Sequence, residues 1–137
     1  MKSTTKLMIT AAVLTIATGV ASAQSLRAEI PFAFRAGDKV MAPGTYQVTT
    51  SAQRQYVIIS NFENKQSVVV LAAGKATPPK AWEAAGNPMM TFECASRCEL
   101  TRLWTGPGYD ALGFHRHGAA PTEQALVTEI RLSRASD

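Results

Sequence analysis

Two pairs of residues have the types and spacing that could do chemistry. Cys94 and Cys98 are the only cysteines, and Ala95-Ser96-Arg97 separates them. If those three residues form a hairpin loop, the two sulfurs face each other within disulfide range. The spacing is not the C-x-x-C of a redox-active pair, and no C-x-x-C-H offers covalent haem attachment. A metal held by the two thiols is the remaining alternative. The second pair is His115 and His117. On a strand, alternate residues share a face. Both imidazoles could then bind one Zn²⁺ or Cu²⁺, with Asp110 or Glu123 as a third ligand. Two histidines alone do not make a site, and the plainer reading is a polar strand end beside Gly118.

Tyr46, Tyr56, Trp82, Trp104 and Tyr109 are candidates to line a ligand groove. Aromatics at sheet positions more commonly fill cores. Trp82 stands apart, because it falls in a polar connection where an exposed indole would anchor an interface. Nucleophile-elbow, HExxH and paired-carboxylate patterns are all absent from the sequence. No catalytic residue and no cofactor are therefore designated.

The elements that position these residues begin with a segment unlike the rest. Lys2 and Lys6 precede Leu7 to Val20, an uncharged and mostly apolar run, and Ala21-Ser22-Ala23 follows. Positive start, apolar middle and small-x-small end form a secretory signal peptide, with cleavage expected between Ala23 and Gln24. The run is shorter than the ~18 apolar residues of a bilayer span. No cysteine lies near the junction to carry a lipid. The expected organisation is a signal peptide over 1–23 and one β domain over 24–137. Stable membrane insertion after cleavage is not expected, and the location is periplasmic or extracellular.

Removing 23 of the 137 residues leaves 114, and losing Lys2 and Lys6 lowers the net charge from +4 to +2. The remaining basic residues are scattered singly. Nucleic-acid binders instead cluster Lys and Arg on one face, so a nucleic-acid partner is not expected. The length excludes a TIM barrel or a full dinucleotide-binding enzyme.

The mature chain reads as β. Ala28, Ile30, Phe32 and Phe34 alternate with Arg27, Glu29, Pro31, Ala33 and Arg35. One strand with a buried even face is expected, at an edge or bent where Pro31 lacks a donor. Gly37-Asp38 is a turn signal, and Pro43-Gly44 suits the centre of a type II turn. The strand over 45–50 puts Tyr46 and Val48 on one face. Residues 55–60 and 67–71 are rich in β-branched side chains and predict a central hairpin. Residues 74–88 predict a long surface connection with one helical turn over 80–85. Strands follow over 89–94 and 98–104, with Phe92 opposite Leu100 and Met90 opposite Arg102. Glu93 then faces Glu99, to be relieved by Arg97 or Arg102. A short strand over 111–117 follows. Residues 124–133 suit either a helix, by Leu126, Ile130 and a cap-like Thr122, or a strand with Thr128, Ile130 and Leu132 on one face. The strand is favoured and completes seven or eight strands. That spacing predicts an all-β antiparallel sandwich or small barrel.

The stretch Ile30-Pro31-Phe32-Ala33-Phe34-Arg35-Ala36-Gly37-Asp38-Lys39, with Ala42-Pro43-Gly44-Thr45-Tyr46-Gln47-Val48, resembles a group of small exported bacterial proteins. Their pattern is a signal peptide, then V-P-F-x-F-x-x-G-x-K-x-x-P-A-G-x-Y-x-V, a hydrophobic strand pair and a Trp, here Trp104. The resemblance implies export and a β fold rather than an activity. This chain departs from the commoner form at Glu93–Glu99, where it carries its cysteines. Pro43-Gly44-Thr45-Tyr46 also resembles a turn-strand of prealbumin-like and carboxypeptidase-regulatory-like β-sandwiches. The functional expectation is an exported, non-enzymatic binding or structural module with a protein or surface ligand as partner. The alternatives are a small periplasmic metal-binding protein using the His-x-His pair and a hydrolase-like enzyme. The edge containing Pro31 and the loop 74–88 are the expected recognition regions.

Overall fold

Pro31 divides the first apolar run instead of lying within a strand. The chain leaves one sheet at Ile30 and enters the other at Phe34, with residues 31–33 outside both. The computed structural model describes residues 25–116 and 126–134. The expected signal peptide, the Ala23–Gln24 junction, His117 and Glu123 lie outside the described residues.

The strands are β1 (Ser25–Ile30), β2 (Phe34–Ala36), β3 (Lys39–Met41), β4 (Gly44–Thr50), β5 (Tyr56–Asn61), β6 (Ser67–Leu71) and β7 (Gly74–Ala76). One short helix among the described residues, α1 (Lys80–Ala85), precedes β8 (Met89–Cys94), β9 (Cys98–Trp104), β10 (Ala111–Gly113), β11 (Leu126–Arg131) and β12 (Ser133–Arg134). Two sheets form an all-β sandwich, not a closed barrel. Sheet A has the order β12-β1-β4-β5-β6. Sheet B has the order β11-β8-β9-β10-β7, and β2 joins it by pairing with β3 and β9. The strands outnumber the expected seven or eight because the chain crosses between sheets and divides long runs into short pieces. One such crossing follows β6, where the Ala72 N–H donates to the Gln55 carbonyl just before β5 of sheet A and the Ala73 N–H donates to the Gly113 carbonyl in sheet B.

The inner faces interdigitate in one core. Leu26, Ala28 and Ile30 of β1 and Tyr46 and Val48 of β4 meet Phe34, Phe92 and Leu103 from sheet B. Phe34 packs edge-on against Tyr46, 5.2 Å between centroids, and against Phe92 at 5.3 Å. Each such side chain, fully buried, contributes roughly 1.5–3 kcal/mol of transfer free energy. The Tyr46 hydroxyl donates to the Ala42 carbonyl, satisfying its polar end inside the apolar layer.

Several local expectations are corrected. Gly37, at φ +62°, does turn β2 into β3. Pro43-Gly44 makes no type II turn, because Gly44, at φ +159°, is already extended in β4 and pairs with Ile30. A Cβ there would lie 3.0 Å from Asn61 Nδ2, so the Asn61 side chain would have to shift by a few tenths of an ångström. The β5–β6 hairpin forms, but β6 is an edge strand, so the pair is not central. The connection 74–88 contains β7 as well as α1. Strand β10 ends at Gly113 and does not reach His117.

The β8–β9 register holds at the hairpin end, with Cys94 opposite Cys98 and Phe92 opposite Leu100. It then shifts. Thr91 opposes Arg102 and Met90 opposes Leu103, which leaves Thr101 as an extra, bulged residue. The bulge turns Leu103 into the core in place of Arg102. It is fixed by the Thr101 hydroxyl donating to the Thr91 carbonyl, and by the Phe114 N–H donating to the Thr101 carbonyl.

Candidate functional site

The surface that stands out is the outer face of β4, β5 and β6. Inward residues of these strands are buried in strict alternation, so the intervening residues all point outward. Across β5 and β6, Tyr56 opposes Leu71, Ile58 opposes Val69 and Ser60 opposes Ser67. Across β4 and β5, Thr49 opposes Ile58 and Gln47 opposes Ser60. No residue in this array carries a charge. Leu71 is 70% exposed, Val69 55% and Tyr56 38%. The two serines are joined Oγ to Oγ at 3.2 Å. The array thus has an apolar half toward the Tyr56–Leu71 end and a hydroxyl and amide half toward the other.

An edge strand is ordinarily open to pairing with another chain. Here the turn between β2 and β3 stands against β6. The Lys39 ammonium donates to the Ser67 carbonyl at 3.0 Å, and a Cβ on Gly37 would lie 3.7 Å from the Val69 carbonyl oxygen. The face of β6 is available, whereas its edge is partly closed by a charged side chain. The sequence hid this surface. Val68–Leu71 is a continuous apolar run, and nothing in it marks which alternate residues face water.

The predicted site residues fall elsewhere. Cys94 and Cys98 are joined by a disulfide at the end of the β8–β9 hairpin. Cys98 also lies beside Phe34 of β2, and Cys94 beside Leu126 of β11. The bond therefore sits where four strands converge. Glu93 does face Glu99, but the residue that pairs with Glu93 is Arg116, reaching from beyond β10.

Trp82 is not an exposed anchor. It is 5% exposed, stacked on Trp104 with centroids 6.3 Å apart, and its Nε1–H donates to Glu129 at 3.1 Å. Because the bulge at Thr101 reverses the facing of β9, Trp104 points to the outside of sheet B. There α1 covers it, making a second small core with Ala111 and Met89. The Trp104 Nε1–H donates to the Tyr109 carbonyl at 2.9 Å. Of the five candidate aromatics, Tyr46, Trp82 and Trp104 are buried and only Tyr56 and Tyr109 are exposed. No common groove gathers them.

His115 is exposed and follows the end of β10, while Asp110 precedes its start. Four residues, Ala111 to Phe114, separate them, five steps that span about 16 Å in extended chain. No group of three or more His, Cys, Asp or Glu suited to a metal occurs among the described residues. Pro31 borders a surface depression of about 430 Å³, together with Glu29, Pro43 and Glu63. Its lining has two carboxylates and no cation.

Arg54 ties the two sheets together at one end. Its guanidinium donates to Thr105 Oγ1 and to the Asp110 carbonyl, each at 2.8 Å, and lies 4.5 Å from the Tyr109 ring centroid. Burial holds its pKa below the ordinary arginine value, opposed by Tyr109 and Asp110.

No family model matches the chain, and searches of the curated proteins and of the solved structures return no match.

Proposed function

We propose that the protein is an exported, non-enzymatic binding module that engages a partner protein through the outer face of β4, β5 and β6. The observation that carries this reading is the uncharged cross-strand array of Tyr56–Leu71 and Ile58–Val69 on the solvent side of sheet A. Burying it against a partner removes apolar area from water without desolvating any charge. The partly closed β6 edge directs a partner to the face rather than to strand addition. Export is supported by the layout of residues 1–23 and is compatible with a disulfide-bonded β fold. No helix among the described residues is long and apolar enough to cross a membrane. The resemblance of residues 30–48 to small exported bacterial proteins fits the same reading.

The test is site-specific photocrosslinking in cells that export the full chain, with the photoreactive side chain at Leu71. The expected result is a discrete adduct that disappears when Val69→Lys is added, while the far-UV spectrum of the purified variant stays unchanged. An exported, folded chain that yields no adduct from Leu71 overturns the reading.

A further inference from the structure

We propose that the outer face of sheet B carries a binding site of its own, which takes a small sugar acid: a hydroxylated ring bearing one carboxylate. The site is a depression of about 410 Å³ over β7, β10 and β9. Lys75, Arg102 and Arg116 line it, and Glu93 is the one carboxylate among its lining residues. The three cations are far apart in the sequence, and strand pairing gathers them. Arg102 shares its side of β9 with Trp104, which lies under α1 on the outside of the sheet.

The floor is bare backbone. Gly74 of β7 opposes Gly113 of β10, and Gly113 opposes Arg102 of β9. Neither glycine has a positive φ. A Cβ on Gly74 would meet nothing within 4 Å, and one on Gly113 would meet the Gly74 carbonyl oxygen at an ordinary 3.8 Å. Neither the backbone nor the packing calls for glycine here, although glycine weakens a strand and often marks close approach of a ligand. Two opposed glycines leave a flat strip on which a ring can lie. Neighbouring strands are about 4.8 Å apart, so the row from Gly74 to Arg102 is about 10 Å wide, room for one ring and its carboxylate.

The walls select the ligand's charge and its hydroxyls. A guanidinium fork matches a carboxylate in two parallel hydrogen bonds. Arg116 is already held by Glu93, whereas among the described residues neither Arg102 nor Lys75 is in an ion pair. Glu93 accepts hydrogen bonds from hydroxyl groups and repels a second carboxylate, which favours a hydroxylated mono-acid. Thr91 opposes Arg102 on β8 and is 6% exposed, and among the described residues its hydroxyl has no hydrogen-bond partner. Buried polar groups are ordinarily satisfied, and a ligand hydroxyl beside Arg102 would supply the partner.

The test is an NMR titration of the nitrogen-15-labelled protein, expressed as the full chain, with glucuronate, glucose and inorganic phosphate in separate arms. Glucuronate should move the amide signals of Gly74, Arg102 and Gly113 saturably, while glucose and phosphate at the same concentration leave them in place. Arg102→Gln removes an exposed charge and should weaken glucuronate by about tenfold or more. Gly74→Val fills the floor where the structure has open space, so it should abolish glucuronate binding with the remaining signals unmoved. No saturable shift at these three amides overturns the site. Equal shifts with phosphate reduce it to a patch of charge and overturn the sugar-acid assignment, as does glucuronate binding that survives Gly74→Val. None of these outcomes bears on the outer face of sheet A, which lies on the other side of the sandwich.

Discussion

Trp82 and Trp104 stack on the outer side of sheet B at an interplanar angle of 29°. This contact attaches α1 to the sandwich, since Trp82 is the only buried residue of that helix. The Trp82 Nε1–H bond to Glu129 also reaches β11, the far edge strand of the same sheet. Trp82→Ala should therefore cost about 3–5 kcal/mol, the range for removing a large buried aromatic. Trp82→Phe keeps part of the stacking surface and loses the hydrogen bond, so it should cost less. Denaturant unfolding of both variants measures the difference. An unchanged midpoint for Trp82→Ala would mean that the outer cluster contributes nothing to stability.

The disulfide between Cys94 and Cys98 closes a very short loop, so its stabilisation by chain entropy is small, about 2 kcal/mol. The double variant Cys94→Ala, Cys98→Ala should fold and unfold at a modestly lower denaturant concentration. The parent should take up no alkylating reagent until it is reduced. Two freely alkylated thiols in exported, unreduced protein would contradict this.

Much of the sandwich was legible in the sequence because period-2 alternation and turn residues act locally. Gly37-Asp38 marked its turn, and Cys94 and Cys98 set a correct register over the residues nearest the hairpin end. The failures share one physical origin, which is contact between distant segments. The Thr101 bulge is stabilised by Phe114 and Thr91, so no alternation within β9 could announce it. That single extra residue exchanged Arg102 for Leu103 in the core and sent Trp104 outward. It thereby created the surface that buries Trp82. The apolar run of β6 looked central because its sequence is apolar on both faces, while its neighbours in space left one face bare. The outer-face array was invisible for the same reason.

The two histidines are expected to give no more than a weak surface site. His115 is exposed beyond the end of β10, and Asp110 lies before the other end of that strand. A Zn²⁺ titration of the oxidised protein followed by calorimetry should show binding no tighter than that of a short His-x-His peptide. His115→Ala should leave the thermal midpoint unchanged with or without Zn²⁺. A tight, stoichiometric site abolished by His115→Ala would restore the metal-binding alternative.

Arg54 offers a sharper test, because two effects at one residue act in opposite directions. Its guanidinium joins the β4–β5 turn to Thr105, Tyr109 and Asp110 across the sandwich. Its backbone, at φ +58°, lies in the left-handed region that side chains disfavour. Arg54→Ala loses the contacts and keeps the strain, and should cost about 2 kcal/mol. Arg54→Gly loses the same contacts but relieves the backbone, so it should be more stable than the alanine variant by roughly 1 kcal/mol. Burial lowers the Arg54 pKa, but arginine starts so far above neutrality that it stays charged there. The difference between Arg54 and Arg54→Ala should therefore be flat between about pH 5 and pH 9 in denaturant unfolding. If glycine and alanine prove equally destabilising, the left-handed backbone at Arg54 carries no measurable strain, and the contacts account for the whole effect.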